Sequence, residues 1–220
     1  MRINFLNTIS SYEYMKTLFI PAKSKIKLDK TKFLAEAKKL PKNIVVAYSI
    51  QYKVLAESVK EVLSKTHTIN SIIQILGCSN PNLPKYTKAV LLIGQARFHA
   101  ISLAFESNLP IYIMENNIIT KVTESEVAKL KQNKNKAKLK FLNSDSVGVL
   151  ISIKPGQNRL NRALKLKDKY KNKKFYFFLS NNINSNEFEN FGISCYINTA
   201  CPRLDLDSSV INLSEVENLS

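Results

Sequence analysis

Four short stretches hold side chains that could do chemistry. Near the C-terminus, Asn198-Thr199-Ala200-Cys201-Pro202-Arg203-Leu204-Asp205-Leu206-Asp207 follows the apolar run Ile193 to Ile197. A thiol where a strand ends, followed by a proline that cannot donate another ladder bond, is held at the mouth of a sheet. There it is either a ligand or a small buried hydrophobe, and Arg203, two residues on, can lower its pKa. Asp205 and Asp207 alternate with Leu204 and Leu206, as along an exposed edge. Cys78 shares this grammar: Ile72-Ile73-Gln74-Ile75-Leu76 reads as a strand, and Gly77-Cys78-Ser79-Asn80-Pro81 breaks it.

The other two stretches lie where a strand passes into a helix. In Gly94-Gln95-Ala96-Arg97-Phe98-His99, a glycine ends the apolar strand Ala89 to Ile93, and Arg97 and His99 fall in the first turn of the helix that follows. Side chains there face the ligand crevice above the strand ends of an open α/β sheet, or else form an ordinary exposed first turn. In Lys154-Pro155-Gly156-Gln157 the glycine permits close approach of backbone to a ligand, and the next helix N-terminus favours a carboxylate or phosphate. Without a ligand the same stretch is a common βα loop.

The elements that must position these groups alternate between strand and helix. Met15 to Pro21 reads as a strand, and Asp29 caps a helix to Leu40 with Phe33, Leu34, Ala37 and Leu40 on one face. A strand over Asn43 to Ile50 leads to a helix marked by Val54, Leu55, Val59, Val62 and Leu63. Ala89 to Ile93, apolar throughout, is a strand buried on both faces of a parallel sheet. Ile111 to Met114 and Ile118 to Val122 are short strands joined as a hairpin across Asn116-Asn117. A helix from Thr123 to Leu142, lysine-rich in its second half, bridges two domains.

The second domain opens with a strand over Ser146 to Ile153 and a helix carrying Leu160, Ala163, Leu164 and Leu166. Lys174 to Ser180 is its next strand, and Asn184 to Phe191 a short helix closed by Gly192. Ser194 to Asn198 is the strand that delivers Cys201, a strand over Ser209 to Leu213 follows, and Glu215 and Glu217 stand in the tail. Such βαβα alternation predicts an α/β fold with mainly parallel sheets.

At 220 residues the chain can bury a core of one large or two small domains, and the reading here is two. No run of about 18 uninterrupted apolar residues is present to span a membrane, and Met1 to Tyr14 lacks a clean signal-peptide core, so an intracellular location is expected. Three cysteines, Cys78, Cys195 and Cys201, argue against a disulfide framework, and no Cys-x-x-Cys pair marks a closed zinc site. His67 lies in a loop and is assigned no role. The net charge of +16 admits solvated helix faces, attraction to RNA, or docking to an acidic protein. No RNP, zinc-finger or helix-turn-helix signature supports the nucleic-acid reading.

Four motifs occur in series: Leu-Gly-Cys ending at Cys78, Ile-Gly-x-x-Arg-Phe-His over Ile93 to His99, Lys-x-Gly-Gln over Lys154 to Gln157, and Asn-Thr-Ala-Cys-Pro-Arg over Asn198 to Arg203. In this order they resemble the diphthamide synthase family, archaeal and eukaryotic enzymes that modify a histidine of translation elongation factor 2. The resemblance implies a cytoplasmic transferase with a 4Fe–4S cluster. Its co-substrate, S-adenosylmethionine, would be cleaved in an unusual radical reaction that releases a 3-amino-3-carboxypropyl group. It covers two consecutive related βαβ domains, residues 1–142 and 143–220, matching the second and third of the family's three, with the first, which brings its own cysteine, absent. By the same resemblance Cys78 and Cys201 are the metal ligands, and Arg97, His99, Gly156, Gln157 and Arg203 hold the co-substrate's carboxylate or order the site. Three protein thiolates would leave one iron open. A second chain, in a homo- or heterodimer, is therefore expected to supply the first domain and third cysteine, while Cys195 has no counterpart. Two alternatives stand beside this: a non-catalytic paralogue or partner subunit of the enzyme, and a basic α/β RNA-binding module.

Overall fold

The computed structural model describes residues 22–75, 81–94, 97–154, 156–184, 187, 189–201 and 210–219. The expected strand over Met15 to Pro21 lies outside these residues, as do Cys78 and Arg203. Two sheets organise the rest. In the first, β1 (Asn43–Tyr48), β2 (Thr68–Gln74), β3 (Ala89–Ile93), β4 (Ile111–Glu115) and β5 (Ile118–Lys121) stand in the order β2-β1-β3-β4-β5. The first four run parallel and β5 antiparallel to β4. All of β3 is buried, which is why it carries no polar residue. The edge strand β2 begins at Thr68, four residues before the apolar run that announces it. Its polar start joins the ladder through a register shift at Ile44/Val45.

The β4–β5 turn has both Asn116 and Asn117 at positive φ, 49° and 63°, the requirement of a two-residue hairpin turn that asparagine tolerates best. Helix α1 (Lys30–Ala37) is capped by Asp29, whose side chain accepts from Lys32 N–H at 3.1 Å. Helix α2 (Lys53–Leu63) packs Leu55, Val59 and Leu63 onto the same face of the sheet as Phe33 and Ile44. Leu34 and Val54, assigned to the apolar faces by their sequence positions, are exposed instead. Helix α3 (Arg97–Ser107) covers the opposite face through Ala100, Leu103 and Ala104.

Helix α4 (Glu124–Asn143) starts in a capping box: Thr123 accepts from Glu126 N–H, and the Glu126 carboxylate accepts from Thr123 N–H at 2.8 Å. It packs on α3 and also on the second sheet, where Ala137 and Phe141 are buried. That sheet contains β6 (Ser146–Ser152), β7 (Lys174–Ser180), β8 (Cys195–Asn198) and β9 (Val210–Asn212), all parallel, in the order β7-β6-β8-β9. The helix expected after Gly156 is two short pieces, α5 (Leu160–Leu164) and α6 (Leu166–Lys169). Where a short helix is expected before Gly192, the described residues include a 3₁₀ turn at Glu189–Phe191. The tail folds as α7 (Leu213–Glu217), burying Leu213 and Val216. No helix among the described residues is long and apolar enough to cross a membrane.

Candidate functional site

Strand β8 delivers the thiol. Its four residues are buried, and the chain then turns out so that Cys201 is exposed two residues beyond the buried Thr199. Thr199 ties this turn to β6: its N–H and its hydroxyl both donate to Leu150 O, at 3.1 and 2.9 Å. Asn198 ties it to itself and to β9, accepting from Ala200 N–H at 2.9 Å and donating to Cys201 O and to Asn212 Oδ1, each at 2.8 Å.

Strand β6 brings the second loop. Gln157 N–H donates to Lys154 O at 3.0 Å, closing a turn in which Gly156 has φ +77°. A Cβ on Gly156 would meet nothing within 4 Å, so the glycine answers to backbone angle and not to crowding. The helix that follows is five residues long, too short for its dipole to define an anion site.

β7 and β8 lie on opposite sides of β6, so the carboxyl ends of β6 and β8 form the switch point of this sheet, where α/β folds bind ligands. A cavity of about 340 Å³ opens there. Cys201, Gly156 and Gln157 line it together, with Arg159, Arg162, Asn198, Thr199 and Asn212. Two other clefts, about 380 Å³ beside Pro110 and Lys121 and about 470 Å³ beside Tyr176 and Phe191, contain no thiol. The two arginines of the Cys201 cavity differ. Arg162 is committed to Glu217, with Nε and Nη2 donating to its carboxylate at 3.1 and 2.5 Å, and this pairing raises its pKa. Arg159 has no ion pair among the described residues and keeps its guanidinium available.

The remaining predicted residues sit elsewhere. Arg97 belongs to the first sheet, and its guanidinium does not point free above the strand ends. Nε and Nη2 donate to the Glu126 carboxylate at 2.6 and 2.9 Å, and the other contacts run to Thr120 and Lys121 O at 3.4 Å. The Arg97 bonds, aided by those from Thr123 and opposed by burial, hold the Glu126 carboxyl down to about 2. His99 is half-buried with its ring 5.6 Å from that of Phe98. Cys195 begins β8 inside the core, and burial pushes its thiol up to about 11. A thiol held protonated among apolar side chains is an inert structural residue and not a ligand.

Sequence reasoning missed Arg159, Thr199, Asn198 and Asn212 as parts of the site. Asn198 and Thr199 had a signal, because two hydrogen-bonding residues immediately before a strand-end cysteine are placed to hold its turn. Arg159 and Asn212 had none within their own neighbourhoods.

Parallel sheets with a thiol-bearing turn at a switch point define an α/β protein whose site suits a soft metal or an anionic ligand. The chain belongs to the diphthamide synthesis protein family, whose model matches residues 6–212. It is similar to the 2-(3-amino-3-carboxypropyl)histidine synthase of Methanocaldococcus jannaschii, 29% identical over 212 residues, covering 90% of this chain and 58% of that one. The synthase of the same name from Pyrococcus horikoshii is 27% identical over 218 residues, covering 89% and 63%. The fold is shared with the crystal structure of Dph2 from Pyrococcus horikoshii with a 4Fe-4S cluster, at TM-score 0.74 and 24% identity, over 90% of this chain and 64% of that one. A second crystal structure of that Dph2 gives 0.75 with the same coverage. The chain thus spans about three fifths of the length of the relatives it matches.

The residues present fit such a cluster in part. Cys201 is an exposed thiol on a cavity, accessible as a ligand must be. No group of three or more His, Cys, Asp or Glu that could hold a metal occurs among the described residues. Cys78 lies outside them.

Proposed function

We propose that this chain is part of a cytoplasmic transferase that moves a 3-amino-3-carboxypropyl group from S-adenosylmethionine to a histidine of translation elongation factor 2. The single observation that carries the reading is the exposed Cys201 thiol on the switch-point cavity shared with Gly156, Gln157 and Arg159, in a chain of this family. Cys201 and Cys78 are the proposed ligands of a 4Fe–4S cluster. Such a cluster supplies an electron and an open iron coordination site to a sulfonium co-substrate. Cysteine is suited to that role by its soft sulfur.

The chain's own residues do the rest. Arg159 offers a two-pronged donor to the co-substrate's carboxylate, and Gln157 a neutral donor and acceptor beside it. Arg203 is proposed for the same end of the co-substrate. The Gly156 turn lets backbone approach the ligand without a side chain intervening. Arg97 acts at one remove, joining α3 to the start of α4, and His99 stands in the same first turn. Because Cys195 is sealed in the core, a third thiolate has to come from outside these 220 residues, and we assign it to a second chain or segment in a dimeric assembly.

The test is anaerobic reconstitution of the assembly with iron and sulfide, followed by iron content and transfer to the elongation factor. Cys78→Ala and Cys201→Ala are each expected to lose both. Unchanged iron and transfer in either variant would remove that cysteine from the site. Elongation-factor binding without iron or turnover in the wild type would instead identify a non-catalytic partner subunit.

A further inference from the structure

A ligand at a strand end needs something to hold its turn in place. We infer that Asn198 is the positioning residue for Cys201, its buried carboxamide setting where the thiol-bearing turn stands, and that Asn212 completes the pairing of that carboxamide. The inference rests on the reading of Cys201 as a ligand.

Asn198 is the last residue of β8 and only 2% exposed. A backbone N–H can only donate, so the Ala200 amide, 2.9 Å away, determines that Oδ1 faces it. Nδ2 must then face the other way, where Cys201 O and Asn212 Oδ1 both stand at 2.8 Å as acceptors. Both hydrogens of the amide and its oxygen are therefore engaged, with no conflict in the assignment. Asn212, last in β9 and 5% exposed, supplies the acceptor that an apolar neighbour could not.

Together with the two Thr199 bonds to Leu150 O, this fastens the turn to β6, β8 and β9 at once. A buried asparagine at a strand end is costly unless every group is paired, and an apolar residue would fill the volume more cheaply. Its presence next to Cys201 is explained if the shape of this turn, more than its stability, is what the position serves.

Two variants separate the halves of the interaction. Asn198→Asp keeps an acceptor for Ala200 N–H but removes the donor to Cys201 O, and Asn198→Ala removes both. In the chain alone, the readouts are hydrogen exchange at the Ala200 amide and the rate of Cys201 alkylation by iodoacetamide, with the buried Cys195 as internal reference. Exchange at Ala200 should quicken about fivefold to tenfold in Asn198→Ala, the worth of one lost hydrogen bond, and stay near wild type in Asn198→Asp. Alkylation should change by at least about threefold in both, through altered presentation of the thiol. In the reconstituted assembly, the electron paramagnetic resonance signature should shift and iron retention fall, by about tenfold in affinity.

Wild-type alkylation rates and an unshifted signature in both variants would overturn the inference. Should Asn198→Ala not fold, Asn198→Asp and Asn212→Ala decide it by the same alkylation and resonance measurements. Cys201→Ala keeps the two ideas apart. If that variant retains the cluster signature, the ligand reading fails whatever Asn198 does. If it loses the signature while the Asn198 variants behave as wild type, only the positioning role fails.

Discussion

The two sheets reverse strand order in the same way, yet among the described residues a cavity lined by a thiol opens at the switch point of the second. In the first sheet the switch lies between β1 and β3. There the 3₁₀ turn Ile50–Tyr52 folds over the strand ends, Ser49 N–H reaches Ile93 O at 3.4 Å, and Tyr52 is 6% exposed. A Cβ on Gly94 would stand 3.3 Å from Ser49 Oγ, so Ser49 packs closely on the end of β3. In the second sheet a cavity of about 340 Å³ is lined by Gly156 and Gln157 after β6 and by Thr199, Ala200 and Cys201 after β8. The charges differ as well, with Arg97 paired to Glu126 and Arg159 without an ion pair among the described residues. Strand order makes a crevice possible, and what the loops and their counter-charges do decides whether it is available to a ligand.

The strongest test of this contrast is Cys201→Ala. Under the proposed function, iron affinity of the assembly should fall by about a hundredfold or more, whereas Glu126→Gln in the first sheet should leave iron content near wild type. Iron titration of both variants checks it.

Next in size is the packing of the second sheet. Gly148 in β6 lies against Tyr196, and an added Cβ would come within 2.3 Å of that ring, itself in the core and 4% exposed. Gly148→Ala should therefore destabilise by about 1–3 kcal/mol, read as a lower denaturation midpoint at unchanged slope. Gly156→Ala, with open space around it but positive φ, should cost about 1 kcal/mol from backbone strain alone.

Glu126→Gln probes the closed first sheet. The carboxyl ionises at about 2 when folded against an ordinary 4.5, so the bound form is the charged one. Its contribution is complete above about pH 4.5 and is lost as pH falls through 2. Discounted for the half-exposed Arg97, the variant should be about 1 kcal/mol less stable at neutral pH. The gap to wild type should narrow as denaturation is repeated from pH 5 downward.

The smallest stability effect belongs to Arg159→Gln, within about 0.5 kcal/mol, because it has no ion pair among the described residues to lose. Under the proposed function, its consequence should appear in KM for S-adenosylmethionine, raised about tenfold with kcat less affected. Arg162→Gln should do the reverse, loosening α7 by breaking the Glu217 pair while leaving KM close to wild type.

Much of this architecture was legible in the amino-acid order because the forces behind it are local. An unbroken apolar run such as Ala89–Ile93 has no polar face to offer water, so it has to be a central strand. Asp29 and the Asn116-Asn117 turn act through hydrogen bonds and backbone angles within a few residues. Cys201 at a strand end was legible for the same reason. The edge strand β2 was read short, since its polar first half becomes a strand only when β1 provides a ladder.

What the order of residues could not decide is which polar groups meet. Arg97 and Glu126 are 29 positions apart, Arg162 and Glu217 are 55, and Asn198 and Asn212 are 14. Each pair depends on how helices and strands pack, and that packing is set by summed apolar burial over the whole sheet and not by the polar residues themselves. Arg159 and Arg162 look alike in sequence, three residues apart on one side of a turn. Both line the Cys201 cavity, and tertiary structure separated them by laying the Glu217 carboxylate of α7 against Arg162 and no carboxylate among the described residues against Arg159.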